Sequence, residues 1–242
     1  MPEALILAAG RGSRMEALTT DTPKHMLPVA GRPMLEHVVT RLRDAGVRRL
    51  VILTGYLAEA IESCFGDGSP FGVQITYAHQ PEPPGTGSAV HAARHAIGTE
   101  PFLTTFGDVL TSADSYRAIL AHFASEPCDA LIGLNWVEDP TNGAAVYLDR
   151  SGTIVRIVEK PPPGTSTTHW NQSGIFIFSP LIFDYTARLR PSPRGEYELT
   201  AALTAMLADG RTVRGHRISG IWCDVGRPED LDKAGRMLES ER

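Results

Sequence analysis

Short apolar runs bounded by turn-forming residues recur through the first 135 positions, and segments with a helical hydrophobic period lie between them. This pattern predicts strands at 3–8, 49–54, 73–78, 101–106 and 129–136. The intervening helices are predicted at 33–45, with Pro33 at the first helical position, at 57–65 before Gly66, at 86–97 before Gly98, and at 112–124 behind Ser112. Repeated strand–helix units imply a parallel sheet covered on both faces. After residue 136 the runs AAVYLD, TIVRIVEK and GIFIFS are separated by the turn-rich DPTNG and KPPPGTS, which adds mixed or antiparallel strands. Helices at 180–189 and 198–208, a strand at 211–217 and a helix from Pro228 close the chain. The expected class is α/β: a Rossmann-like open sheet, mostly parallel to mixed, with helices on both faces and a small β-rich accessory lobe. No linker or repeat interrupts the pattern, so residues 1–242 are expected to form one domain, with a first half at 1–136 and a second at 137–242.

Composition narrows this picture. Of 242 residues 42% are hydrophobic, enough for a substantial core, and Gly 23 with Pro 18 stays well under the roughly 25–30% that marks low complexity. No run approaches a membrane span, and MPEALILAAG lacks the charged start and small-residue cleavage site of a signal peptide, so a cytoplasmic protein without membrane partners is expected. Cys64, Cys128 and Cys223 are too scattered for a disulfide framework or a Cys-x-x-Cys metal site. The net charge of −5 argues against a general nucleic-acid binder. Residues 1–50 nevertheless carry eight Lys/Arg against five Asp/Glu, which suggests a local anion site.

The segment LILAAGRGSRM fits that site. An apolar strand runs into Gly10 and Gly12, with Arg11 and Arg14 interleaved, at the strand end where open α/β sheets bind ligands and where consecutive backbone N–H groups can cradle phosphate. The dinucleotide fingerprint fails because Met15 holds the third glycine position, and the P-loop fails because Met15 and Glu16 stand where glycine and lysine are needed. In TPKHMLPVAGRP, Pro23 and Pro28 restrict the backbone around Lys24 and disfavour a regular helix.

Together, Leu7-Ala8-Ala9-Gly10-x-Gly12-x-Arg14, Pro23-Lys24 and Leu27-Pro28-Val29-x-Gly31-x-Pro33 resemble the signature of the sugar-phosphate nucleotidyltransferase family. The likeness extends from Leu5 to about Leu231. It implies transfer of a nucleotidyl group from a nucleoside triphosphate to a sugar-1-phosphate, giving a nucleotide sugar and pyrophosphate. The first half would then bind nucleotide and the second half sugar phosphate. The resemblance assigns catalysis to Arg14, Lys24 and Asp108, and nucleotide binding to Leu7 through Gly12, including Arg11, together with Gln80, Gly85 and Thr86. The segment Gln80-Pro-Glu-Pro-Pro-Gly85-Thr86 is similar to the uridylyl- and thymidylyltransferase form, in which a glutamine amide reads the pyrimidine imide edge; UTP or dTTP is therefore expected.

Phe106-Gly107-Asp108 and Trp222-Cys223-Asp224-Val225-Gly226 imply a Mg²⁺ site on Asp108 and Asp224. Asn142-Gly143 and Val158-Glu159-Lys160-Pro161 imply sugar-phosphate binding through Gly143, Glu159 and Lys160. Two departures stand out. Gln172 occupies the position, two before Gly174, where the family commonly has asparagine, which leaves Gln172 as the candidate there. Ala201 replaces the aspartate of the E-x-x-L-T-D stretch in Gly195-Glu196-Tyr197-Glu198-Leu199-Thr200-Ala201. The resemblance leaves a homo-oligomer open. Two other readings stay open on the residues: a cytidylyltransferase for a non-sugar phosphate, and a catalytically silent sugar-nucleotide sensor.

Overall fold

In the first strand, β1 (Glu3–Leu7), Ala4 and Ile6 pack into one hydrophobic core and Leu5 and Leu7 into another. Side chains alternate across a strand, so a strand buried on both faces reads as one continuous apolar run. The computed structural model describes residues 3–80 and 85–240. Along the chain follow β2 (Pro28–Val29), β3 (Arg32–Pro33), α1 (Met34–Asp44), β4 (Arg49–Thr54), α2 (Ala58–Phe65), β5 (Gln74–His79), α3 (Thr86–Ala92), β6 (Phe102–Phe106), β7 (Val109–Thr111) and α4 (Ala113–Ser125). The second half supplies β8 (Ala130–Trp136), β9 (Ala144–Leu148), β10 (Ile154–Glu159), β11 (Trp170–Phe178), α5 (Ile182–Thr186), α6 (Leu199–Ala208), β12 (Val213–Arg217), β13 (Trp222–Asp224) and α7 (Pro228–Glu239).

Nine strands form one mixed sheet with the path β10-β9-β11-β6-β1-β4-β5, and β8 joins β11 to β12. The pairs β1–β4, β1–β6 and β4–β5 are parallel, as strand–helix repeats require, whereas β11 runs antiparallel to β6, β8 and β9. The later strands thus extend the main sheet instead of standing apart from it. Helices α1, α2, α4 and α7 cover one face, and α3, α5 and α6 cover the other.

The predicted elements are present with shifted ends. Pro33 sits one residue before α1, not inside it, and its extended ψ of 136° closes the β2–β3 pair. The helix expected over 86–97 ends at Ala92 and continues as a 3-10 turn at Ala93–His95, and the one expected over 180–189 shrinks to Ile182–Thr186. Ser112 caps α4 as expected, its Oγ accepting from the Ser115 N–H at 3.0 Å.

One contact on this frame makes a pH prediction. His122 of α4 and His216 of β12 meet Nδ1 to Nδ1 at 2.9 Å, so one ring must donate and the other accept. Burial, and then the neighbouring His122, push His216 down to about 4. The unfolded chain takes up a proton near pH 6.5 that the folded chain refuses, so this stability is complete above that pH and is lost as pH falls toward 4. The melting temperature of the wild type is expected to drop more between pH 7.5 and 5 than that of His216→Gln. Parallel curves for the two proteins would show that the pair carries no such linkage.

Candidate functional site

The parallel strands end at one edge of the sheet, and there the loop after β1 meets the turn after β6. Backbone bonds fix both: the Ala8 N–H donates to Leu53 O and the Gly107 N–H to Leu7 O, each at 2.9 Å. Leu7 and Ala8 are therefore framework, and the Ala9 carbonyl accepts from Tyr56 N–H at 3.2 Å. Gly10 faces open space. Gly12 has a φ of +70°, and a Cβ there would come 2.8 Å from Lys24 Cβ, so glycine is needed for the loop to close over that lysine. Arg11 stacks its guanidinium over the Tyr56 ring at 5.1 Å.

Lys24 begins a 3-10 turn, Lys24–Met26, behind the extended Pro23. Only 5% of it is exposed, and its Nζ forms an ion pair and hydrogen bond with Asp108 Oδ2. Burial opposes ionisation of Asp108, but Lys24 outweighs it, helped by His25, and holds the carboxyl below its ordinary range. His25 lies buried beside them, its Nδ1 without a hydrogen-bond partner among the described residues, and burial chiefly lowers it to about 4, so it is neutral at pH 7.

Asp224 reaches the same place from the far end of the chain. Strands β7 and β13 pair antiparallel with Val109 opposite Asp224, and the Val225 N–H donates to the Asp108 carbonyl at 2.9 Å. The following turn is fixed by Asp230, whose Oδ2 accepts from Gly226 N–H at 3.0 Å and Arg227 N–H at 2.8 Å. Although Asp224 is exposed to solvent on its open side, loss of water on the protein side and then the Asp108 charge raise its carboxyl to about 6. Two carboxylates this close, with solvent access, are a hard-oxygen donor pair of the kind that shares Mg²⁺ with substrate phosphates. Among the described residues no group of three or more metal-ligating side chains exists, so other oxygens would have to complete the shell.

These groups border a cavity of about 310 Å³. The structure brings Arg14, Thr86, Asp108, Gly143, Glu159, Lys160, Gln172 and Asp224 together in its lining. Lys24 reaches it only through Asp108, and Leu7 through Gly12, Gln80 and Gly85 lie outside the lining. Arg14 and Lys160 are exposed and form no ion pair among the described residues. Lys160 has a φ of +42°, and its N–H donates to Gly143 O at 2.7 Å. A strained non-glycine backbone held by its neighbours is a recurrent feature of ligand sites. Burial, opposed by neighbouring Thr200 and reinforced by Glu198, raises the Glu159 carboxyl.

Two expectations are modified. Gln80 was expected to offer donor and acceptor to a base, but its Nε2 donates to Gly85 O at 3.1 Å and Ser88 Oγ at 3.0 Å, leaving only Oε1 for a ligand. Residues 81–84 of that segment lie outside the described residues. Gln172 does face the cavity, yet its Oε1 is turned back to accept from Gly174 N–H at 3.1 Å.

Asn171 was not singled out from the sequence, and it is the main clamp of the second half. It is 7% exposed, its Oδ1 accepts from Ala144 N–H at 2.9 Å, and its Nδ2 donates to Asn135 Oδ1 at 3.1 Å. A Cβ on Gly143 would collide with Oδ1 and come 2.9 Å from Cγ of Asn171. Trp222 forms part of the wall and donates Nε1–H to Ser173 O at 2.8 Å, at a break in the β11–β8 register. Arg194, also unflagged, bridges Glu198 Oε1 at 2.8 Å and Glu159 Oε1 at 3.5 Å. Its only sequence signal is the i,i+4 spacing to Glu198.

Comparison with known proteins agrees with this geometry. A family model described as nucleotidyl transferase matches residues 3–241. The chain is 36% identical to AglF of Haloferax volcanii, a UTP–glucose-1-phosphate uridylyltransferase, over 99% of this chain and 97% of that protein. It is 33% identical to a glucose-1-phosphate thymidylyltransferase of Streptomyces griseus, over 98% of this chain and 66% of that one. A solved chain assigned as a glucose-1-phosphate thymidylyltransferase from Bacillus anthracis, in complex with sucrose, superposes with a TM-score of 0.88 at 30% identity, covering 98% and 94% of the two chains. No helix among the described residues is long and apolar enough to cross a membrane. From the glycine loop through the paired aspartates to the full-length match, the chain belongs to the nucleotidyl transferase family.

Proposed function

We propose that this chain transfers a nucleotidyl group from UTP or dTTP to a sugar-1-phosphate, releasing pyrophosphate. The observation that carries the reading is the cavity in which two exposed cations, Arg14 and Lys160, neither in an ion pair among the described residues, share a wall with Asp108 and Asp224. A sugar-1-phosphate has a second pKa near 6 and is largely dianionic at pH 7, so its oxygen attacks without a general base. One bond forms from that oxygen to the α-phosphorus, and the bond from the α-phosphorus to the bridging oxygen breaks, so pyrophosphate leaves with its electron pair. The barrier is the meeting of two anions, and positioned positive charge lowers it.

In this reading Leu7 and Ala8 anchor the loop whose residues from Ala9 to Gly12 hold the triphosphate, with Thr86 near it. Arg14 and Lys24 neutralise charge on the triphosphate. Lys160 pairs with the incoming phosphate, while Glu159, Gly143 and Gln172 face the sugar. Asp108 and Asp224 would hold Mg²⁺, which when bound supplies positive charge to phosphate oxygens of both reactants. Gln80 keeps Oε1 free to accept the imide N–H of uracil or thymine.

The test is pyrophosphate release with Mg²⁺ across the five common nucleoside triphosphates and a panel of sugar-1-phosphates. UTP or dTTP is expected to exceed CTP and ATP, whose corresponding ring nitrogens carry no proton to donate, by at least about tenfold in kcat/KM, the worth of one well-placed hydrogen bond in a closed site. A CTP or ATP preference would remove Gln80 as the base reader. Silence with every pair would refute the transfer reaction itself.

A further inference from the structure

The cavity carries more negative charge than a metal site and a phosphate site require. Glu159 at the end of β10 and Glu196 and Glu198 ahead of α6 line it in addition to the two aspartates. Arg194 is shared by Glu159 and Glu198. The Glu196 carboxylate has neither an ion pair nor a side-chain hydrogen bond among the described residues, although its backbone carbonyl accepts from Ser192 N–H at 2.9 Å. The sugar end therefore sets three carboxylates against Arg194 and Lys160, and Lys160 is the cation nearest at hand for a phosphate.

An acceptor that brings only a phosphate dianion makes this imbalance worse. Hydroxyl groups can donate to a carboxylate, but they bring no charge to offset it. A protonated amine both donates and neutralises, and hydrogen bonds between charged groups are about twice as strong as neutral ones. Resting on the transfer reading above, we propose that the preferred acceptor is a sugar-1-phosphate with a free amine on the sugar, held by Glu196 with Glu198 and Glu159 within its surroundings. The acceptor is then a zwitterion whose two ends match the two ends of its pocket: phosphate at Lys160, ammonium at the glutamates.

The experiment compares kcat/KM for glucose-1-phosphate, N-acetylglucosamine-1-phosphate and the 2-, 3-, 4- and 6-amino deoxyglucose-1-phosphates with the best nucleotide. At least one amino sugar is expected to exceed both neutral sugars by about tenfold. That ratio should fall toward one in Glu196→Gln. In the wild type it should also shrink with added salt, a readout that does not depend on the variant folding. Robust turnover of glucose-1-phosphate with no amino sugar ahead of it would overturn the amine preference and leave nucleotidyl transfer standing. A ratio unmoved by both Glu196→Gln and salt would overturn the role of Glu196. No pyrophosphate from any acceptor would refute the transfer reaction and the amine preference with it.

Discussion

Lys24→Ala is expected to lower kcat by about 10²–10³, the usual loss when one preorganised charge partner is removed from a transition state. The physical case rests on where the ammonium is held. Lys24 is nearly sealed from solvent, yet it ends on Asp108, which lines the cavity. Gly12 packs directly on its stem, so the side chain cannot swing freely to another position. A charge fixed before substrate arrives needs no reorganisation during reaction, and this separates it from the exposed Arg14 and Lys160. The fold should survive, because Lys24 lies in a short 3-10 turn whose backbone bonds, Met26 N–H to Pro23 O and Leu27 N–H to Lys24 O, do not involve the side chain. Steady-state pyrophosphate release and a circular-dichroism melt test this together. A variant with near wild-type kcat would remove Lys24 from the mechanism.

The strand–helix half of the molecule was legible because its signal is local. In β1 and β4 the buried positions on either face are apolar except Thr54 at the end of β4, so the pattern alone marks a covered parallel strand. The glycine loop, Lys24 and the two aspartates were legible by resemblance, and the fold places Arg14, Asp108 and Asp224 on one cavity. The pairing of β7 with β13 was not legible: each is three residues long and they lie more than a hundred positions apart, so neither has a periodicity to read. Asn171 escaped for a related reason. Its importance lies in partners at Ala144 and Asn135, contacts that only the register of β8, β9 and β11 creates. Gln80 shows the opposite limit, since residue type advertised a donor and an acceptor while local hydrogen bonds consume the donor.

Beyond the β11–β6 and β7–β13 pairings, the two halves of the domain also meet at Gly85, and Gly85→Ala is expected to cost about 3–5 kcal/mol, combining backbone strain with overpacking. Gly85 has a φ of +136°, a region that L side chains rarely occupy. A Cβ there would collide with the backbone of Tyr197, lying 2.8 Å from its carbonyl carbon, and backbone cannot yield as a flexible side chain does. The same junction carries the bond from Gly87 N–H to Tyr197 O at 2.7 Å and the bond from Leu199 N–H to Thr86 Oγ1 at 3.1 Å, which fixes the start of α6. Displacing Tyr197 therefore moves Glu196 and Glu198 on one side and Thr86 on the other, all of them cavity residues. At roughly 2–4 °C per kcal/mol for a chain of this size, the melting temperature should fall by about 10 °C. At a temperature where the variant is still folded, KM should rise for both nucleotide and sugar phosphate, because the junction shapes both sides of the cavity. A melting temperature within about 2 °C of wild type would show that the segment around Tyr197 can shift without cost. A rise in KM for only one substrate would show that the two halves of the site are set independently.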